Sequence, residues 1–177
     1  MDFVDIVTSR KSVRDYQDKA VEEEKLEKIL QAARLAPSWA NKQCTRYIVI
    51  KEKKTIEELA STFIGWIKQA PIVIVACANP KDSSVHNNMD YYLVDVGISM
   101  EHLVLAATDQ GLGTCWIGGF NEAKVKKTLQ IPENIKVVAL TPLGYPADLS
   151  MRSKLMCSAS DAEKRKPIED IVHNEKW

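Results

Sequence analysis

Residues 88–120 constrain this chain more than any other stretch. They read as one long helix over 88–110, a break at Gly111, Leu112 and Gly113, and a short buried run over 114–120. A helix of that length spans roughly 34 Å at 1.5 Å per residue. Its apolar residues do not keep to one stripe: Tyr91, Tyr92, Leu93, Val94, Val96, Ile98, Met100, Leu103, Val104 and Leu105 run nearly all the way round. Such a helix must be covered on almost every side. It is not a membrane span, because Asp90, Asp95, Glu101, His102 and Asp109 interrupt it and a bilayer core penalises such charges. A chain of 177 residues has few other elements with which to wrap it. The pattern therefore implies that a second copy of the chain covers part of the helix.

The length suits a single domain over 1–177. Basic and acidic residues balance at 24 each, so neither nucleic acid nor an anionic membrane is an expected partner. Cys44, Cys77, Cys115 and Cys157 lack the spacing of a metal site and read as free thiols of a reducing compartment. The acidic start, with no apolar targeting core, favours the cytoplasm.

In chain order, 2–9 reads as a short amphipathic helix with Phe3, Ile6 and Val7 on one side. Residues 21–36 form a helix with its apolar face at Leu26, Ile29, Leu30, Ala33 and Leu35, ended by Pro37. Strands are expected over 46–51, 71–77, 114–117 and 135–143, the second buried on both faces because it is a continuous β-branched run. Short helices are expected over 54–60, 63–69, 121–130 and 168–172, with Asn121 as a cap. Residues 79–87, which include His86, read as a polar loop, and 148–163 as a loop without pattern. Strands and helices that do not alternate strictly argue for an α+β fold with one sheet packed by helices.

Two clusters can meet an anion. Arg10, Lys11, Ser12 and Arg14 place three cations and a hydroxyl within five residues, and Lys164, Arg165 and Lys166 form a second group. Either is equally a solvated basic turn. Pro37, Ser38, Trp39, Ala40, Asn41, Lys42 and Gln43 form a loop whose amides offer donors and acceptors to the edge of a heterocycle. A turn that bonds its own backbone is the competing reading. Trp116, Ile117, Gly118 and Gly119 let backbone come close to a flat ring. Gly111-Leu112-Gly113 begins like a dinucleotide fingerprint, but Trp116 occupies the third glycine position and the motif follows a helix instead of a strand. Asp95, mid-helix in apolar company, needs a hydrogen-bond partner if buried. With no evident nucleophile or metal set, the reactive groups are expected from a cofactor that is planar and bears a phosphate.

Arg10-Lys11-Ser12-Val13-Arg14, the 36–43 segment, the 111–119 segment and Arg165-Lys166-Pro167 together resemble the motifs of the flavin mononucleotide (FMN)-dependent nitroreductase family, in that family's order and across the whole chain. The resemblance implies a nitroreductase-like α+β fold: a central mixed sheet flanked by helices, a long buried central helix and an intertwined homodimer with FMN at the interface. It implies that Arg10, Ser12 and Arg165 hold the phosphate and ribityl chain, with Lys11 also among the cofactor-binding residues, and that Arg14 approaches the pyrimidine end. Pro37, Ser38, Asn41 and Gln43 would reach the flavin largely from the partner subunit, with Trp116, Ile117, Gly118 and Gly119 along the ring. The implied activity is ping-pong hydride transfer from NAD(P)H through the flavin to a nitroaromatic, quinone or similar acceptor. A flavin-binding carrier or sensor without turnover would use the same residues. Lys11 stands where another Arg is frequent, Cys44 where Pro is frequent, and the chain has little room for the substrate-covering helices of longer members.

Overall fold

The computed structural model of the protein describes residues 2–61, 64–151, 153–155 and 164–177. Its helices are α1 (Phe3–Ser9), α2 (Glu23–Arg34), α3 (Lys53–Leu59), α4 (Tyr91–Asp109) and α5 (Glu122–Leu129). The strands are β1 (Thr45–Ile50), β2 (Ile72–Ala78), β3 (Val85–His86), β4 (Met89–Asp90), β5 (Gly113–Thr114) and β6 (Lys136–Gly144). The main sheet has the order β1-β2-β6-β5, and β3 and β4 form a separate hairpin.

β2 sits inside the main sheet and is buried at every position, as its unbroken β-branched composition requires. Successive side chains point to opposite faces, so the sheet divides two cores. Val73, Val75 and Cys77 face Ile56 and Leu59 of α3 and Val125 of α5. Ile72, Ile74 and Ala76 face Leu26 and Ile29 of α2 and Val96, Met100 and Leu103 of α4. All pairings between named strands are antiparallel. The mixed character expected of the sheet is confined to one isolated parallel bridge, Ser12–Thr114, where the N-terminal segment runs along the outer edge of β5.

The long helix begins three residues later than its apolar pattern suggests. Asn87 and Asn88 have φ of 50° and 59°. This left-handed pair turns a two-residue hairpin of the kind Asn tolerates, so the helix cannot start there. It ends as expected at the Gly-rich break. Gly111 has φ of 73°, its N–H bonds the Thr108 carbonyl at 3.0 Å, and the Leu112 N–H bonds the Ala107 carbonyl at 2.8 Å. These two bonds make a Schellman stop. Lys25 Nζ donates to the Gln110 carbonyl at 2.9 Å, placing a cation at the negative end of the helix.

Only part of α4 is covered. Val96, Met100, Leu103, Val104 and Ala107 are buried, whereas Leu93, Val94 and Ile98 stay 48%, 38% and 36% exposed. No residue of α1 is buried, and Phe3, Val4 and Val7 face solvent. Residues 164–177 are exposed throughout and make a single 3-10 turn, Ile168–Asp170, in place of the expected helix. Within 148–163, residues 151 and 153–155 are helical where a loop was expected; 152 and 156–163 lie outside the described residues.

Asn121 caps α5, its side chain accepting from the Lys124 N–H at 2.9 Å. Beside it Lys126, 8% exposed, donates to the Glu133 carbonyl at 3.0 Å and pairs with Glu122 at 3.5 Å. Burial pushes the Glu122 carboxyl up, but the Val137 N–H, Lys136 and Lys126 outweigh it and hold the group below its usual value. A depressed carboxylate stabilises the fold above its unfolded pKa, and that contribution is lost as pH falls through the folded value. Urea unfolding midpoints should therefore be flat down to about pH 5 and drop below about pH 4.3. Glu122→Gln should lower the midpoint at pH 7 and flatten the drop. An unchanged acid limb in the variant would contradict the assignment.

Candidate functional site

Two groups of the expected residues lie on different corners of the sheet. At the β5 corner, the Val13 N–H donates to the Thr114 carbonyl at 2.8 Å, so the 10–14 basic run lies directly against the Gly-rich segment. A side chain at Gly113 would meet Val13 Cγ2 at 2.6 Å and Val13 Cβ at 2.7 Å, which explains the glycine. The Cys115 N–H donates to Thr141 Oγ1 at 3.2 Å, and Ile117 exchanges backbone bonds with Leu140 at 2.8 and 3.0 Å. Beyond this anchored backbone Trp116 is 43% exposed. Gly118 and Gly119 are exposed, and a Cβ added to either meets nothing within 4 Å. The result is an open backbone ledge that follows the Thr114 edge on which the 10–14 run lies; in that run Arg10, Ser12 and Arg14 are half-buried and Lys11 is exposed.

Asp15 adjoins this corner and ties it to the next segment. Its carboxylate accepts from the Ser150 N–H and its carbonyl from the Ala147 N–H, both at 3.0 Å. Burial raises the Asp15 carboxyl, but hydrogen bonds from Ser153 and Ser150 prevail and keep it low. Arg165 stands in the exposed segment 164–177.

The 37–43 loop is at the opposite corner, ahead of β1. Ala40, Asn41 and Gln43 have φ of 45°, 56° and 52°, a left-handed region costly for Ala and Gln. Ser38 Oγ accepts from the Gln43 N–H at 2.9 Å, and Gln43 Nε2 reaches the Asn41 carbonyl at 3.3 Å. The self-bonded turn is thus real for Ser38 and Gln43, while Asn41 and Pro37 are exposed. Asp95, 2% exposed, fixes the loop by accepting from the Trp39 N–H at 2.8 Å, and its other oxygen lies 3.4 Å from both Cys44 Sγ and Ser83 Oγ. Burial pushes the Cys44 thiol up, and Asp95 adds to it, so Cys44 is no nucleophile. A cavity of about 440 Å³ opens here, lined in part by Ser38, Gln43, Tyr47, Asp95 and Ser99. Burial pushes the Tyr47 hydroxyl to about 12 despite its 2.7 Å bond with Ser99.

Two rulers place the corners roughly 25 Å apart. Asp95 and Gly111 are separated by about 24 Å of helix at 1.5 Å per residue. In the sheet, Thr45 is level with Ala78 and Lys136, whereas Thr114 pairs with Leu143, at the other strand end. That is about 24 Å along the strands and about 14 Å across three strand spacings. One protomer therefore sets the 10–14 run beside Gly113 and Thr114 and keeps the 37–43 loop away from that edge. The sequence reading also missed the β3–β4 hairpin beside the loop. His86 lies on it, its ring 5.7 Å from that of Trp39. The adjacent asparagines were the available signal.

A family model described as "Putative TM nitroreductase" matches residues 2–177. The chain is 35% identical over 178 residues to an Archaeoglobus fulgidus protein named "Putative NADH dehydrogenase/NAD(P)H nitroreductase", covering 97% of each. The crystal structure of a nitroreductase family protein from Clostridium novyi superposes with a TM-score of 0.78 at 42% identity, over 84% of this chain and 87% of that one. An FMN-dependent nitroreductase from Clostridium difficile gives 0.77 at 26% identity, over 99% and 100%. This chain belongs to the nitroreductase family.

The Gly113 contact generates a test. Gly113→Ala should lower the unfolding free energy by about 1–3 kcal/mol through overpacking against Val13, read from urea unfolding. Gly119→Ala, with open space at the same atom, should change it by less than about 0.5 kcal/mol. Equal effects would mean that the close approach at Gly113 does not matter.

Proposed function

We propose that this protein is a homodimeric FMN-dependent oxidoreductase that takes hydride from NAD(P)H and passes it to a small acceptor such as a quinone or nitroaromatic. The observation that carries the reading is the pairing of a basic run with an open glycine ledge at one corner and an amide-rich, pre-shaped loop at the other. The relatives named nitroreductase support it. FMN, when bound, would supply the redox chemistry, carrying hydride equivalents between a reduced nicotinamide and an acceptor.

The chain's residues fit that group. Arg10, Lys11 and Ser12 offer charge-assisted bonds to a phosphate, and Arg165 adds a further guanidinium from the C-terminal segment. Arg14 offers positive charge to the ring's pyrimidine edge, where it counts most once water is excluded. The exposed backbone at Gly118 and Gly119 leaves room for a flat ring beside Trp116 and Ile117. Pro37, Ser38, Asn41 and Gln43 complete the site from the second copy. A two-fold contact that sets the α4 helices antiparallel carries each 37–43 corner to the other protomer's glycine ledge, and does so twice by symmetry. Exposed Leu93, Val94 and Ile98 on α4 and the apolar side chains of α1 supply the surface for that contact. Among the described residues no helix is long and apolar enough to cross a membrane. The reading puts the protein in the cytoplasm, where reduced nicotinamide is available.

Arg10→Ala should raise the Kd for FMN by about 10- to 150-fold, the equivalent of one charge-assisted bond of about 1.5–3 kcal/mol, measured by titrating apoprotein with FMN. Full flavin retention at micromolar protein would remove Arg10 from the site. Leu93→Arg should convert a dimer to a monomer in light scattering and release flavin with it. A yellow, catalytically competent monomer would refute the two-chain site.

A further inference from the structure

We propose that Trp39, His86 and the tip of the β3–β4 hairpin form the wall that selects flat aromatic acceptors; this rests on the flavin reading above. Trp39 sits between Ser38 and Asn41, in the loop assigned to the flavin. Its ring lies 4.1 Å from Tyr91 at 45° and 5.7 Å from His86 at 31°, tilted arrangements that aromatic groups favour. The indole is therefore held in place by partners on a second element.

The hairpin is equally fixed. The Tyr91 N–H bonds the Ser84 carbonyl at 3.0 Å, closing the stem. Ser83 Oγ lies 3.4 Å from the same Asp95 carboxylate that accepts from the Trp39 N–H at 2.8 Å. Loop and hairpin thus hang on one buried group, and the spacing between them is set before any ligand arrives.

What the hairpin presents is unusual for a two-residue turn facing water. Val85 and Met89 are 69% and 50% exposed, and His86 is exposed beside them. Folding of the hairpin needs only Asn87 and Asn88, with their left-handed backbone. Met89 pairs with His86 across the hairpin, so Met89, His86 and Trp39 together make a small patch of apolar, aromatic and polarisable surface. Flat rings stack on indole and imidazole, and thioether sulfur makes favourable contacts with ring edges. Such a wall favours a planar bicyclic acceptor over a compact inorganic one.

The test uses the flavin-loaded protein and two readouts. The first is calorimetric binding of 2-naphthamide, a planar ring that a flavin does not reduce. The second is the ratio of kcat/KM for menadione to that for ferricyanide. Trp39→Leu should raise the naphthamide Kd about tenfold and lower the ratio about tenfold. Trp39→Phe should recover most of both. Met89→Ser, on the exposed hairpin, should move both about threefold in the same direction. A yellow Trp39→Leu protein with unchanged naphthamide Kd, or an unchanged ratio in both Trp39→Leu and Met89→Ser, overturns the proposal while leaving the flavin reading intact. A wild-type protein that stays colourless after addition of FMN overturns the flavin reading and this proposal with it.

Discussion

The incomplete burial of α4 governs the rest of the structure. The helix is apolar nearly all round, yet among the described residues Leu93, Val94 and Ile98 stay partly exposed while the face that meets the sheet and α2 is buried. Burying an exposed aliphatic side chain is worth about 1.5–3 kcal/mol. Leu93, Val94 and Ile98, with Phe3, Val4 and Val7 of α1, therefore offer on the order of 10 kcal/mol gross. Association itself costs about 4–15 kcal/mol, so these helix faces alone come close to balance. Exposed Ile168, Ile171, Val172 and Trp177 in the C-terminal segment add further apolar surface that the proposed dimer would have available to bury.

The same helix separates the two groups of residues that the proposed site draws on. Asp95 near its N-terminal end fixes the 37–43 loop, and the Schellman stop at its C-terminal end launches the segment carrying Trp116 and the two exposed glycines. A separation of roughly 25 Å is well beyond the length of three fused rings. Intramolecular flexibility does not close it, because both ends are pinned to a rigid helix and to the sheet. In the proposed two-fold contact, a second helix laid antiparallel would bring the unlike ends together. On that proposal, burial of the apolar surface and assembly of the site are one event.

The fold was legible where a single physical signal dominated. The β-branched run at 72–78, the apolar face of α2, the Asn121 cap and the Gly111 stop each follow from local chemistry, and each is where the residues put it. The start of α4 was not legible from hydrophobic pattern, because Met89 and Asp90 fit a helix as well as a strand; the left-handed asparagines decide. Site residues were legible as types and not as neighbours. Ser12 and Thr114 are distant in sequence, and a parallel bridge of one residue pair leaves no periodic trace. Position 113 could be read as a helix-terminating glycine, but its demand for close approach to Val13 is visible only in three dimensions.

Asp95 shows how a chain without its own reactive groups still prepares a site. At 2% exposure it is a buried carboxylate, and the groups that touch it, the Trp39 N–H, Cys44 and Ser83, are neutral. A buried polar group is costly unless its hydrogen bonds hold it in a well-determined position. Here the cost fixes a loop in which Ala40 and Gln43 adopt left-handed backbone, a conformation that persists only when surrounding bonds over-determine it. Ser38 Oγ on the Gln43 N–H and Arg46 on the Gln43 carbonyl supply the remaining ties. The loop is therefore shaped before a ligand meets it, and binding energy that would otherwise order it remains available to position the reacting rings.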